Sequence, residues 1–174
     1  MKLIGISGSL RQASTNRLLI REAARLAKAS AYVEADIDLP LYNGDVEAEG
    51  IPASVLAFTE AVAAADAVVI STPEYNKGIS GVLKNALDWA SRVKTNPFTG
   101  KPIAIVSATA GRAGGERAQF NLRLALNPFQ PVVIPGPEVL IAASSKAFDE
   151  AGHLGDEMAQ KLLTDLMEKL KATL

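Results

Sequence analysis

Short runs of uninterrupted apolar residues recur along the chain, and each run ends in small or polar residues. The clearest of them are residues 2–7 (KLIGIS), 67–72 (AVVIST) and 102–108 (PIAIVSA). Continuous apolarity over so few residues is typical of central parallel strands that are buried on both faces. Apolar and polar residues alternate over residues 31–39 (AYVEADIDL), which predicts a second strand. Residues 131–142 predict a fifth, which the stretch from Pro135 to Pro137 interrupts or ends.

Helical patterns fill the segments between these predicted strands. The predicted helices cover residues 15–29, 53–64, 79–93 and 115–126. A last helix is the clearest, because its apolar residues recur every four positions and predict a stripe that faces the core. This stripe consists of Met158, Leu162, Leu166 and Leu170, with Leu163 and Met167 beside them. Strands and helices therefore alternate, which predicts a doubly wound parallel sheet with helices on both faces.

Composition narrows the classes of function. The length of 174 residues and the hydrophobic content of 48% suit one compact domain that spans residues 1–174. A formal net charge of −1 gives no support to nucleic-acid binding, which needs clustered Lys and Arg. The lack of cysteine excludes disulfides and thiolate chemistry, so redox activity would need a bound cofactor. Neither a membrane span nor a secretory signal pattern is present, so we expect a cytoplasmic protein.

Three unusual loops follow the first, third and fourth predicted strands. They are residues 8–16 (GSLRQASTN), 72–81 (TPEYNKGISG) and 107–115 (SATAGRAGG). A doubly wound sheet binds its ligands beyond the carboxyl ends of the strands, at the point where the strand order reverses. We therefore expect these three loops to converge on one ligand.

The first loop has the features of a phosphate site. It leads into a helix that begins near Thr15 or Asn16, and a helix N-terminus offers free N–H groups to an anion. Ser9, Ser14 and Thr15 add hydroxyl donors, and the Arg11 guanidinium can hold two phosphate oxygens. In the alternative interpretation, Ser14 only caps the helix and Arg11 is solvated. The loop has neither a P-loop lysine nor a G-x-G-x-x-G pattern, which weighs against ATP hydrolysis and Rossmann-type NAD binding.

The second loop has the features of a wall for a flat ring. Pro73, Glu74, Tyr75 and Asn76 are followed by two glycines that let the backbone approach a ligand. Tyr75 could lie beside a conjugated ring while backbone amides bind its nitrogens and carbonyls. Alternatively, Pro73 only ends the strand and Tyr75 packs on a neighbouring subunit. A phosphate in one loop and a ring in the next indicate a mononucleotide-like cofactor.

These motifs together resemble the NADPH-dependent FMN reductase family of flavodoxin-like proteins, particularly its quinone and chromate reductase branch. The resemblance is carried by residues 8–17 (GSLRQASTNR), 72–92 (TPEYNKGISGVLKNALDWASR), 110–123 (AGRAGGERAQFNLR) and 39–47 (LPLYNGDVE). It extends from Lys2 to at least Arg123. It implies a five-stranded parallel sheet of order 2-1-3-4-5, and it implies FMN as cofactor with NADPH or NADH as electron donor.

The same resemblance implies roles for particular residues. It places the FMN phosphate at Ser9, Arg11, Ser14 and Asn16 and the backbone between them, which includes Thr15. It places the isoalloxazine ring against Pro73, Glu74, Tyr75 and Asn76, with Ser107 near the ring or ribityl chain and Gly111 in the next loop. The chain departs from the family at Ser80, where proline is common, and at its fourth strand end, where a Ser-Pro-Gly-like turn is more usual.

The implied activity is a ping-pong transfer of electrons from NAD(P)H through FMN to a small acceptor, with no catalytic residue of the protein's own. Quinones are the favoured acceptors, with chromate, azo compounds, nitroaromatics and free flavin as further ones. A homodimer or homotetramer is expected. His153 is interpreted as a surface residue and Trp89 as a core or interface residue. Arg112, Arg117 and Arg123 fit either nucleotide binding or solvated helix charges, so their roles stay open.

Other functions agree less well with the sequence. A flavodoxin-type FMN electron carrier is the main alternative, but such carriers are strongly acidic and have an uncharged phosphate loop, unlike a chain with Arg11. A phospho-receiver domain needs acidic residues after the first strand, and the sequence ISGS provides none. A serine hydrolase needs a G-x-S-x-G elbow, which is absent.

Overall fold

One parallel sheet forms the centre of the computed structural model, which describes residues 1–174. Its strands are β1 (Lys2–Ser7), β2 (Ala31–Glu34), β3 (Ala67–Thr72), β4 (Pro102–Ala108), β5 (Val132–Val133) and β6 (Val139–Ile141). The strand order is β2-β1-β3-β4-β5, and β6 also pairs with β4. All pairs are parallel. The predicted flavodoxin-like order of 2-1-3-4-5 is therefore confirmed.

Six α-helices accompany the strands, five of them between strands and the sixth after the last strand. They are α1 (Thr15–Leu26), α2 (Gly44–Glu49), α3 (Ala53–Ala64), α4 (Gly81–Ala90), α5 (Glu116–Leu126) and α6 (Glu157–Lys171). The short helix α2 escapes the sequence analysis because none of its residues is buried, so it carries no apolar periodicity. None of the helices combines the length and apolarity that crossing a membrane would require.

The sheet separates two hydrophobic clusters. Alternate residues of a strand point to opposite faces, so Ile4 belongs to one cluster and Leu3 to the other. Helices α3, α4 and α5 pack on the face of Ile4, and α1 and α6 pack on the face of Leu3. Trp89 of α4 is fully buried and its indole N–H donates to the Pro40 carbonyl (2.7 Å). Trp89 is thus a core residue.

The fifth strand is interrupted at the predicted prolines. β5 pairs with the start of β4, and β6 pairs with its end at the register Val106↔Val139. Pro135 and Pro137 lie between the two pieces and have no N–H groups to donate to the ladder. The second strand is also shorter than predicted, since β2 ends at Glu34 rather than residue 39.

The predicted apolar stripe of α6 is wrong at its first member. Met158 is 61% exposed, and the buried residues of this helix are Leu163, Leu166, Met167 and Leu170. A spacing of four residues drifts by about 40° per step around a helix of 3.6 residues per turn. Over three steps this drift moves Met158 by roughly 120° relative to Leu170. Alternating spacings of three and four keep the buried residues on one face.

Alanine substitutions at two positions of α6 test which of its faces is buried. We expect Leu163→Ala to lower the free energy of unfolding by about 2–5 kcal/mol, because it leaves a cavity between α6 and the sheet. Met158→Ala, on the same helix but exposed, should change it by less than about 0.5 kcal/mol. Urea unfolding of both variants measures this difference, and equal losses would contradict the assigned face.

Candidate functional site

A cavity of about 1220 Å³ lies at the carboxyl ends of the central strands. The loops after β1, β3 and β4 all contribute residues to it, so their predicted convergence is confirmed. Small-molecule sites usually have volumes of about 300–1,000 Å³. This cavity is therefore large enough for a cofactor together with part of a second molecule.

The end of the cavity at α1 retains free hydrogen-bond donors. Ser14 caps this helix, and its Oγ accepts a hydrogen bond from the Asn16 N–H (3.2 Å). Four backbone N–H groups around it have no acceptor within the protein, namely those of Arg11, Gln12, Ala13 and Thr15. The Arg11 side chain is exposed and has no carboxylate partner. Ser14 thus caps the helix, and the neighbouring N–H groups still lack acceptors and can bind an anion.

Asn16 fixes this end of the cavity to the sheet. Its amide nitrogen donates to the Ala108 carbonyl (2.9 Å), and its Oδ1 accepts from the Ala108 N–H (3.1 Å) and the Ser71 hydroxyl (2.7 Å). The side chain is buried and both ends of its amide are satisfied. The structure therefore gives this amide a positioning role, whereas the resemblance implied a phosphate contact.

The loop after β3, residues 73–80, contains a tight turn, and we call it the ring loop. Tyr75 and Gly78 exchange two backbone hydrogen bonds of 3.0 Å, and Asn76 and Lys77 between them have φ angles of 50° and 69°. Two central residues with positive φ are typical of a type I′ turn. Left-handed backbone at a residue other than glycine costs about 1–3 kcal/mol, so the surroundings must hold this turn. Tyr75 lines the cavity and is 54% exposed.

Two side chains brace the ring loop against α5. The Glu74 carboxylate accepts a hydrogen bond from the Ala118 N–H (3.2 Å), and the Asn121 Oδ1 accepts one from the Ile79 N–H (3.2 Å). Helix α5 begins after Gly115, which has no side chain to cap it. Glu74 supplies the missing cap from a different loop, and its negative charge suits the positive end of the helix dipole.

Ser80 closes the ring loop on its other side. Its buried Oγ accepts a hydrogen bond from the Leu83 N–H (3.3 Å) and thereby caps α4. The family that the sequence resembles often has proline at this position. In this chain, a helix cap fixes the end of the loop where the family often uses a restricted backbone.

Two predicted residues do not line the cavity. Ser107 is fully buried: its hydroxyl donates to the Gly114 carbonyl (2.6 Å) and accepts from the Gln119 amide (2.9 Å). It lies under Gly115, where an added Cβ would come within 2.8 Å of the Ser107 Cβ. This tight packing places Ser107 below the cavity floor. Asn76 is exposed, but it is also not one of the lining residues.

The other predicted residues do meet in the cavity. They are Ser9, Arg11, Ser14, Thr15, Asn16, Pro73, Glu74, Tyr75 and Gly111. Beside Gly111, the loop after β4 contributes Thr109 and Arg112. The backbone N–H groups of residues 110–113 have no acceptor within the protein. This loop can therefore offer backbone donors to a ligand, as the first loop does.

A fourth wall was missed by the sequence analysis. Residues 144–149 follow β6 and contribute Ser144, Ser145, Phe148 and Asp149 to the cavity. The Thr15 hydroxyl donates to the Ser144 Oγ (3.1 Å), which joins this wall to α1. The rule that ligands bind at the carboxyl ends of strands would have identified the segment. The proline interruption hid where the fifth strand ends.

Asp149 of this wall is held by the turn that follows it. Its carboxylate accepts a hydrogen bond from the His153 N–H (2.8 Å), and this bond lowers the pKa of Asp149. The His153 imidazole lies 3.9 Å from the same carboxylate and is partly exposed, as expected of a surface residue. Asp149 thus remains charged near neutral pH.

The cavity fits a molecule with a phosphate and a flat ring. Its α1 end offers a cation and free N–H groups, and its ring loop offers a braced turn with an exposed aromatic side chain. A phosphate bound at a helix N-terminus and a ring against Tyr75 would both lie in one continuous space. FMN has these two parts, so the residues present suit it.

Comparisons with known proteins agree with this geometry. A family model described as NADPH-dependent FMN reductase matches residues 1–146. An NAD(P)H-dependent FMN reductase of Pseudomonas aeruginosa is 46% identical over 173 residues, covering 98% of this chain and 94% of that protein. A quinone reductase of Escherichia coli is 38% identical, covering 99% and 93%. The structure of FerB, a flavoenzyme NAD(P)H:acceptor oxidoreductase of Paracoccus denitrificans, matches with a TM-score of 0.87 and 34% identity, covering 98% and 95%.

Removal of the Glu74 carboxylate tests the brace. We expect Glu74→Ala to destabilise the flavin-free protein by about 1 kcal/mol, because the Ala118 N–H loses its acceptor. Glu74→Gln keeps an acceptor oxygen and should restore most of that loss. Urea unfolding and amide exchange at Ala118 measure the effect. Glu116→Gln is the matched control on the same helix, since Glu116 accepts no hydrogen bond there, and a loss as large as that of Glu74→Ala would refute the brace.

Proposed function

We propose that this chain, which belongs to the NADPH-dependent FMN reductase family, reduces quinones with electrons that it takes from NAD(P)H through bound FMN. Its cofactor is FMN and its electron donor is NAD(P)H. One observation carries the proposal: a braced aromatic turn and a loop of free backbone donors face the same cavity. The remaining details below are inferred from that cavity.

The α1 end of the cavity is the proposed site of the FMN phosphate. Arg11 supplies a guanidinium, Ser9 and Ser14 supply hydroxyl groups, and the free N–H groups of residues 11–13 and Thr15 supply the rest. Asn16 keeps these donors in place from below. A phosphate bound here would be held mainly by the backbone, whose geometry the helix and sheet already fix.

The ring loop is the proposed wall for the isoalloxazine. Pro73 and Tyr75 lie at this wall, and Glu74 holds it against α5. When bound, FMN supplies the redox chemistry, which is acceptance of a hydride and its delivery to an acceptor. The protein's own residues bind and orient the two reactants. Free N–H groups of residues 110–113 offer hydrogen bonds to a ring seated in the cavity without a charged side chain.

A shared cavity favours a ping-pong order. The space beside Tyr75 is open, and the same opening would admit the nucleotide and then the acceptor. Quinones are the proposed acceptors because a flat ring can stack in such a space. The quinone reductase named above supports this choice. Chromate, azo compounds, nitroaromatics and free flavin are proposed as further acceptors that enter through the same opening.

A cytoplasmic location stays a prediction of the sequence.

An exposed apolar patch next to the site supports a homodimer, or a homotetramer built from it. Phe120 and Leu124 lie one turn apart on α5 and are 56% and 72% exposed. The neighbouring Asn121 binds the ring loop that carries Tyr75. Exposed apolar patches beside a functional site are typical of protein interfaces. A second copy packed here would shield the patch and close one side of the cavity.

Sedimentation tests the proposed dimer. We expect the protein to be dimeric or tetrameric at micromolar concentration, and Leu124→Glu to shift it toward monomer because a charge would be buried at the interface. Met158→Glu is the matched control, since Met158 is also largely exposed but lies on α6. A wild-type monomer, or an oligomer unaffected by Leu124→Glu, would contradict the proposed interface.

Spectroscopy tests the proposed activity. After incubation with FMN and desalting, we expect the protein to retain flavin absorbance. Anaerobic NADPH or NADH should bleach it, and a quinone added next should restore it. Retained flavin that neither nucleotide bleaches would instead identify a flavodoxin-type electron carrier. Failure to retain flavin would contradict the assignment of both loops.

A further inference from the structure

The arginines of this protein divide into two groups by their partners. The chain contains eight arginines. Four form ion pairs with carboxylates, namely Arg17, Arg21, Arg25 and Arg92. Arg123 donates to the Ile134 carbonyl (3.3 Å) and does not line the cavity. The three that remain without a protein partner, Arg11, Arg112 and Arg117, all line the cavity.

Arg112 and Arg117 lie apart from Arg11 in the sequence and the fold. Arg112 belongs to the loop after β4, between free backbone N–H groups, and Arg117 belongs to the first turn of α5. Lys77, in the turn of the ring loop, also lines the cavity and has no carboxylate partner. All three residues line the cavity from elements other than the loop at α1, and we call them the cationic wall.

Arg117 stands in the first turn of α5 without an ion-pair partner. A cation in the first turn of a helix is repelled by the positive end of the helix dipole. Glu74 offsets part of the helix dipole through its bond to the Ala118 N–H, and Asp149 is bonded to the turn at His153, but neither carboxylate forms an ion pair with Arg117. Glu116 also lines the cavity and forms no ion pair. A solvated surface charge would not need this position, whereas a ligand phosphate would explain it.

We propose that Lys77, Arg112 and Arg117 bind the 2′-phosphate of NADPH and so determine preference for NADPH over NADH. This inference rests on the proposed function. The single phosphate of FMN is accounted for by Arg11 and the free N–H groups at α1. A second cationic wall therefore has a different anion to bind. Guanidinium groups hold phosphate monoesters through paired hydrogen bonds, and arginine is the usual partner of this 2′-phosphate.

Two nucleotides that differ only in this group provide the test. FMN-loaded protein is titrated calorimetrically with adenosine 2′,5′-bisphosphate and with adenosine 5′-monophosphate. We expect Arg112→Ala and Arg117→Ala each to weaken binding of the bisphosphate by about tenfold. Each should change binding of the monophosphate by less than about threefold. The ratio of kcat/KM for NADPH over NADH should fall in parallel. Lys169→Ala, which removes an exposed cation from α6, is the control and should change neither affinity.

The outcomes separate this inference from the proposed function. If the variants lost affinity equally for both nucleotides, or for neither, the assignment to the 2′-phosphate would be overturned. Arg11→Ala should instead weaken retention of FMN, which is measured by absorbance before any nucleotide is added. A wild-type protein that retains FMN but is bleached by neither NADPH nor NADH would refute the proposed function, whatever the calorimetry gives. Thermal unfolding of each variant verifies that it is folded.

Discussion

The hydrogen bonds of the Asn16 amide are the constraint on which the site depends. They join the first turn of α1 to Ser71 of β3 and to both backbone groups of Ala108 at the end of β4. Together with the packing of α1 on the sheet and the Thr15 bond to Ser144, they fix the free N–H groups at α1 relative to the loops that complete the cavity. Because the amide is buried, each lost bond would leave an unsatisfied polar group, at a cost of about 1–3 kcal/mol. The sheet thus holds the anion end in place before any ligand binds.

The ring loop is fixed by a different means. Its turn contains two non-glycine residues, Asn76 and Lys77, in left-handed conformations that the backbone does not favour. Glu74 and Asn121 hold both sides of this turn to α5, and Ser80 anchors its far end as the cap of α4. A strained loop held by three bonds is preorganised, so a ring would bind to it without the cost of ordering it.

Sequence patterns predicted the strands and the converging loops well, because both depend on local apolarity and on a general rule of parallel sheets. They were less informative where packing decides. The close approach of Gly115 buries Ser107, so this side chain does not line the cavity, and its place near a ring stays a prediction. Met158 continues an apolar repeat that drifts off the buried face. The wall at residues 144–149 depends on how a strand resumes after two prolines, which no local pattern encodes.

The arginines are distributed so that positive charge without a protein partner lies in the cavity. Four arginines are neutralised by carboxylates away from the cavity, and the three unpaired ones lie within it. One stands where α1 offers free donors, and two stand near α5, whose N-terminus is already capped by Glu74. The cap occupies the Ala118 N–H, so the unpaired Arg112 and Arg117 side chains and the free N–H groups of residues 110–113 are what this wall offers an anion. In the proposed arrangement, the FMN phosphate lies at α1, where helix and sheet fix the backbone donors, and the nucleotide binds near α5, where two arginine side chains supply the charge.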